Sequence, residues 1–129
     1  MAREDPTYVL FNGAVAGFTD MGIGPLHANA GETVRFYIAV GGPNLTSALH
    51  PIGNVWSRYW PQGALANDPQ KYVSTVPVSP GSCLVGDMEL PVPQNIRILD
   101  HALSRAVHKG VAADLVVEGE PNPEILKTE

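Results

Sequence analysis

The stretch Glu32–Val40, ETVRFYIAV, decides the fold class. Val34, Phe36, Ile38 and Val40 alternate with Thr33, Arg35 and Tyr37, and side chains that alternate one by one point to opposite faces of a β-strand. This is the pattern of a strand with one buried face. Gly41–Asn44, GGPN, closes it with a loop. Upstream, Tyr8–Phe11 (YVLF) is apolar and β-prone, and Asn12-Gly13 after it is a strong turn signal. Downstream, strands are expected over Ile52–Tyr59, Lys71–Val76, Cys83–Leu90, Gln94–Leu99 and Asp114–Glu118, separated by Pro-rich turns at short intervals.

One stretch breaks the β pattern: Leu99–Leu115, LDHALSRAVHKGVAADL. Ala102–Lys109 reads as helix. Asp100 is the expected N-cap, Ala102, Leu103, Ala106 and Val107 supply the apolar positions, and Gly110 supplies the stop. The residues from Gly119 onward, GEPNPEILKTE, read as a loosely attached tail. The expectation is a single all-β domain, with its core over 7–118 and a tail over 119–129. It is a β-sandwich of about seven or eight strands with one short helix near its C-terminus.

Composition sets limits on function. At 129 residues the chain is long enough to bury roughly two-thirds of its unfolded surface as one domain. Its single cysteine, Cys83, excludes an internal disulfide and a multi-cysteine zinc site. A net charge of −5 with no basic patch argues against a nucleic-acid partner. No apolar run reaches membrane-spanning length, so no membrane segment is expected, and MAREDPTYV is too charged for a secretory signal. Twelve prolines and thirteen glycines suit a turn-rich β-domain.

Histidine is the informative residue type. His27, in GPLHANAGE before a turn, reads as a surface residue. His108 falls near the helix C-terminus, where the dipole mildly favours a cation. His101 and His108 are seven residues apart, about 10 Å along a helix axis, too far to chelate one ion together. His50, in SALHPIGN, lies in a Pro/Gly-rich loop at a strand end, the kind of place where a rigid sandwich carries functional side chains. Position alone leaves His50 and His101 open between ligand and bystander.

A blue-copper centre needs a cysteine, two histidines and usually an axial methionine. After Cys83 the next histidine is His101, a whole strand away, so Cys83 reads as a structural or partly exposed thiol. It shares a face with Asp87 and Glu89 in SCLVGDMEL, opposite Leu84, Met88 and Leu90. No phosphate loop, Ser-His-Asp spacing or paired-carboxylate motif is present. The sequon Asn44-Leu45-Thr46 matters only in a secreted chain.

The motifs taken in order resemble the second (C-terminal) cupredoxin domain of copper-containing nitrite reductase, a relative of the multicopper oxidases. The matching stretches are YVLFNGAV from Tyr8, AGETVRFYIAVGGPNL from Ala30, LHPIG from Leu49, TVPVSPG from Thr75, LDHALSRAVHKGVAADLVVEG from Leu99 and NPEI from Asn122. The resemblance implies a cupredoxin-like Greek-key β-sandwich. It also implies a homotrimer with active sites between subunits, where a type 2 copper is held by two histidines of one subunit's first domain and one of its neighbour's second domain. His101 matches that third ligand. His50 matches the histidine that delivers protons to nitrite, Ile52 the apolar residue capping the open copper position, and Thr75 the threonine hydrogen-bonded to the active-site histidine. A copper with three protein ligands keeps a position open for substrate, and an imidazole titrating near neutrality suits proton delivery.

There are departures. These 129 residues hold no counterpart of the family's first domain, so no type 1 copper is expected in this chain. A type 1 copper cupredoxin domain, in cis or trans, is the implied partner for nitrite reduction to nitric oxide, and an isolated domain would be inactive. Ser74 stands where the family often has an acidic or amide residue, SRYWPQGALANDPQKY departs from the usual loop, and His108 inherits no role. The family setting implies a periplasmic or otherwise extracytoplasmic location and a place in denitrification. Two alternatives stand beside the enzyme reading. One is a free-standing trimer binding copper or another metal through His101 without nitrite reduction; the other is a structural or interaction domain without metal.

Overall fold

The structure, a computed structural model, describes residues 3–126. Among the described residues nine strands and one helix follow in order: β1 (Leu26–Asn29), β2 (Thr33–Ala39), β3 (Ser47–Ile52), β4 (Trp56–Pro61), β5 (Gln70–Val73), β6 (Val76–Val78), β7 (Cys83–Glu89), β8 (Gln94–Asp100), α1 (Leu103–Lys109) and β9 (Ala112–Glu118). They form a five-stranded sheet, ordered β1-β9-β8-β3-β6, against a four-stranded sheet, ordered β2-β7-β4-β5. Of strands consecutive in sequence, only β4 with β5 and β8 with β9 are sheet neighbours, so the chain crosses repeatedly from one layer to the other. This is the sandwich with one short helix that the alternating pattern calls for. None of the helices among the described residues is long and apolar enough to cross a membrane.

The deciding stretch behaves as its pattern dictates. In β2, Val34, Phe36 and Ile38 are partly buried while Thr33, Arg35, Tyr37 and Ala39 are exposed. The inward residues pack on a core that includes Leu49, Trp56, Leu84, Met88, Leu90, Ile96 and Leu115. Trp56 is fully buried. The Phe36 ring meets it edge-on, with centroids 5.9 Å apart at 80°. Gly86 lies beneath the indole, where a Cβ would come within 2.6 Å of Trp56 Cε3.

Several boundaries differ from expectation. The run Ile52–Tyr59 holds only the last residue of β3 and the start of β4, which lie in different sheets because Gly53 turns at φ +93°. His50, expected in a loop before a strand, lies within β3. Asn54 then closes the turn, its backbone N–H donating to the Pro51 carbonyl at 3.0 Å and its side chain donating to the Glu89 carbonyl at 2.9 Å. Lys71–Val76 likewise breaks at Ser74–Thr75, where the chain leaves β5 for β6 in the other layer. Tyr8–Phe11 is not a strand. The Asn12-Gly13 turn does form, with φ of +48° and +80° and an isolated bridge from Phe11 to Ala14, but no long strands flank it. β1 was not anticipated. Four residues give too short an alternation, and its pairing is parallel to the distant β9. His27 therefore sits on a strand, exposed, 3.9 Å from Glu118.

The helix stops where expected, with Gly110 in the left-handed conformation and its N–H donating to the Arg105 carbonyl. Its start is corrected. Ala102 is the N-cap residue, without a side-chain cap, and Asp100 belongs to β8. The Asp100 carboxylate still accepts the Ala102 N–H at 3.0 Å, but its side chain is buried, drawn inward by other partners.

On the face of β7 carrying Cys83, Asp87 is buried rather than exposed. Arg35 reaches across from β2 and donates from Nε at 2.6 Å and Nη2 at 2.9 Å, while Arg58 Nη1 lies 3.6 Å away. The Arg35 guanidinium also stacks 5.0 Å from the Trp60 ring centroid. Hydrogen bonding from Arg35 outweighs burial and holds the Asp87 carboxyl below the usual carboxylate range. A carboxyl depressed on folding contributes stability above its unfolded value, near pH 4, and loses it as pH falls through the lower folded value. Urea unfolding followed against pH should show stability declining below about pH 4, with that decline shallower in Asp87→Asn. Equal slopes in the two proteins would place the acid sensitivity on other groups.

Candidate functional site

The β8-β3-β6 side of the five-stranded sheet brings the candidate residues together. β3 lies between β8 and β6, and Leu49 of β3 is in register with Asp100 on one side and Val76 on the other. The residues bordering this row therefore become neighbours, although they come from three separate stretches of sequence. His50 follows Leu49, Thr75 precedes Val76, and His101 follows Asp100.

Because β-strand side chains alternate, Leu49 and Asp100 point into the core and His50 and His101 share the opposite face. Leu49 and Asp100 are each 1 % exposed. His50 is partly buried and His101 exposed. Their rings lie 5.3 Å apart between centroids, inclined at 61°. The His101 backbone N–H donates to the Ala48 carbonyl at 2.7 Å, tying its peptide to β3. Ile52 is two residues beyond His50, so it shares the His50 face at the end of β3, and it is 42 % exposed.

His50 Nδ1 lies 3.3 Å from the Ser74 carbonyl oxygen and 3.3 Å from Ser74 Oγ. The carbonyl can only accept, whereas the hydroxyl can donate or accept, so in the tautomer with hydrogen on Nδ1 that hydrogen goes to the carbonyl and Nε2 keeps its lone pair. The contact that the family pattern would give to Thr75 falls here on Ser74. Thr75 is exposed beside the pair, and among the described residues His50 takes its side-chain partners from Ser74. Ser74 was visible in the sequence only as a departure from a pattern; its position at the crossing from β5 to β6 is what points it at β3.

His27 on β1, His108 on α1 and Cys83 on the other sheet stand on other elements. Cys83 is an exposed free thiol. Among the described residues no three His, Cys, Asp or Glu side chains group closely enough to hold a metal ion. Within the described residues His50 and His101 are thus two imidazoles with no third such side chain grouped with them. A cavity of about 380 Å³ lies on the core side of the same strands, lined by Tyr8, Phe11, Leu45, Leu49 and Arg105 among others, and includes neither histidine.

The layering, the strand order and the single helix before the last strand define a cupredoxin-like domain, and comparison of structures agrees. The copper nitrite reductase from Nitrosomonas europaea superposes with a TM-score of 0.84 at 30% identity, covering 95% of this chain and 44% of that one. A multicopper oxidase superposes at 0.77 with 22% identity, a likeness of fold.

In sequence, the copper-containing nitrite reductase of Neisseria meningitidis serogroup A is 40% identical over 124 residues, 95% of this chain and 31% of that protein. That of Cereibacter sphaeroides is 33% identical over 122 residues. No family model matches the chain. The chain is homologous to the copper-containing nitrite reductases over the length of a single cupredoxin domain. It spans about a third of the curated relatives it matches.

Proposed function

We propose that this chain is the C-terminal-type cupredoxin domain of a copper-dependent nitrite-reducing assembly, supplying one type 2 copper ligand, His101, and a proton-delivering residue, His50. The observation that carries the reading is the pair of imidazoles 5.3 Å apart on an accessible sheet face, with no third ligand grouped with them among the described residues. Imidazole is a suitable copper donor, and an exposed, incomplete donor set fits a metal completed by groups from another domain or subunit. Exposed Leu103 and Val107, one turn apart on the helix that follows His101, and exposed Ile52 give the neighbourhood the apolar character of an interface. A homotrimer in which each neighbour contributes the remaining ligands satisfies both features.

When bound, the copper supplies an electron and a Lewis acid for the conversion of nitrite, two protons and one electron to nitric oxide and water. The chain's own residues handle the protons and the approach. With a hydrogen on Nδ1 directed at the Ser74 carbonyl, Nε2 is left to carry the transferred proton, and His50 can pass that proton to a nitrite oxygen and be recharged from solvent. The Ser74 hydroxyl beside Nδ1 limits ring rotation. Ile52, on the same face, crowds the side from which nitrite approaches, and Thr75 borders the histidine. The electron comes from a type 1 copper domain in cis or trans, and the setting is extracytoplasmic, in keeping with the relatives.

Native mass spectrometry of copper-loaded protein tests this in one spectrum, because it counts subunits and metal ions together. The expected result is a trimer whose copper depends on His101, with nitrite turnover only when a type 1 copper domain is supplied. Copper-loaded trimers that stay inert to nitrite under those conditions would point to metal binding without the reaction. A metal-free monomer with the domain supplied would overturn the reading.

A further inference from the structure

The Asp100 carboxylate does more than a turn would require. It points into the core from the last residue of β8, immediately before His101, and its Oδ1 accepts from the Ala48 N–H at 3.2 Å, the Ala102 N–H at 3.0 Å and Arg105 Nη2 at 3.1 Å. Arg105 Nε lies 2.7 Å from Oδ2 as an ion pair, without an N–H directed at that oxygen. The same Nη2 also donates to the Thr46 carbonyl at 3.0 Å. One guanidinium thus joins the first turns of α1, the end of β8 and the lead-in to β3.

These contacts converge on Ala48. Its N–H goes to Asp100 and its carbonyl accepts the His101 N–H at 2.7 Å. Ala48 is two residues before His50 on the same face of β3. The residues on both sides of His101, Asp100 and Ala102, are therefore held by the one carboxylate, at the point where β8 leaves the sheet and turns toward α1. We propose that the Asp100–Arg105 ion pair is the positioning pair of the two-histidine face, setting the spacing and tilt of the His50 and His101 rings. Its bearing on catalysis rests on the proposed role of His101, but the geometry it sets exists in the metal-free chain.

Core filling alone does not require such a pair. Replacing a buried ion pair by neutral groups of similar volume is often neutral or stabilising, whereas removing one partner strands a charge. The pair adds direction, and the planar guanidinium fork can hold Asp100 and Thr46 together where an ammonium would reach one of them.

The test uses metal-free, isotopically labelled full chain and reads NOEs between the His50 and His101 ring protons together with the ring nitrogen shifts. In Arg105→Met the unfolding midpoint should fall, because Asp100 is left buried and unpaired. In Asp100→Asn/Arg105→Met the midpoint should recover, yet the ring NOEs should be lost and the His101 resonances should broaden or double. Arg105→Lys should restore the NOEs in part. If the double variant folds with ring NOEs and shifts unchanged, the proposal is wrong. If the double variant does not fold, Arg105→Lys decides: weakened ring NOEs support the pair and unchanged ones overturn it. Because the readout needs no metal, failure of copper binding would sink the proposed function and leave this result standing.

Discussion

His101→Ala should abolish copper binding while shifting the free energy of unfolding by less than about 1 kcal/mol. The two effects separate because of where the ring lies. The side chain is exposed, and the contact that fastens residue 101 to β3 is made by its backbone N–H, which alanine retains. Little apolar area is lost, and no buried partner is stranded. A type 2 copper site that loses one of three protein ligands loses its geometry and much of its affinity. Copper content by elemental analysis, alongside a urea melt, checks both halves. Copper retained at full stoichiometry would remove His101 from the ligand set. In the parallel variant His50→Ala, copper should remain and nitrite turnover should fall by about 10²–10⁴, the usual span for a lost general acid. Loss of copper there would exchange the two roles.

Trp56→Ala should cost about 3–5 kcal/mol, the range for truncating a fully buried large aromatic. Small domains have roughly 5–15 kcal/mol in total, so much of the stability would go. Trp56 has no exposed surface, meets Phe36 edge-on and fills the space left open by Gly86. Its Nε1–H reaches the Leu49 carbonyl at 3.5 Å, linking the indole to the strand that bears His50. The surrounding backbone is sheet and cannot collapse into the void, so the cavity penalty should be high in its range. The reverse insult, Gly86→Ala, puts a methyl 2.6 Å from the ring and should cost about 1–3 kcal/mol by overpacking. A denaturation midpoint for Trp56→Ala close to that of the parent protein would show that the two layers are held together elsewhere.

The sandwich was legible because burial is written at period two. Val34, Phe36 and Ile38 declare their face without help from the rest of the chain. The helix stop at Gly110 was legible for an equally local reason, since a left-handed residue after a helical run favours glycine. What escaped was non-local. β1 is defined by its parallel partner β9, and the break at Ser74–Thr75 by a crossing between layers. The burial of Asp87 depends on Arg35, fifty-two residues earlier. Composition and spacing named His50 and His101 as candidates but gave no reason to put them side by side. The family resemblance supplied roles for them, and the register Leu49 with Asp100 supplies their proximity. The hydroxyl of Ser74 beside His50 was not legible, because its approach to β3 depends on where the chain crosses between the layers.

The pairing of β3 with β8 also has a consequence for the order of events in time. The link from Ala48 to Asp100 joins residues fifty-two apart, and that from Arg105 to Thr46 residues fifty-nine apart. Such contacts close a long loop and form only once much of the chain is in place. The two imidazoles therefore come within reach of each other late in folding, and a nascent or partly folded chain offers metal only scattered single histidines and one thiol. On the proposed function, metal offered to the finished sandwich should find the face that carries His50 and His101, whereas metal present during refolding should compete for Cys83 and the stray imidazoles and slow the recovery of native protein.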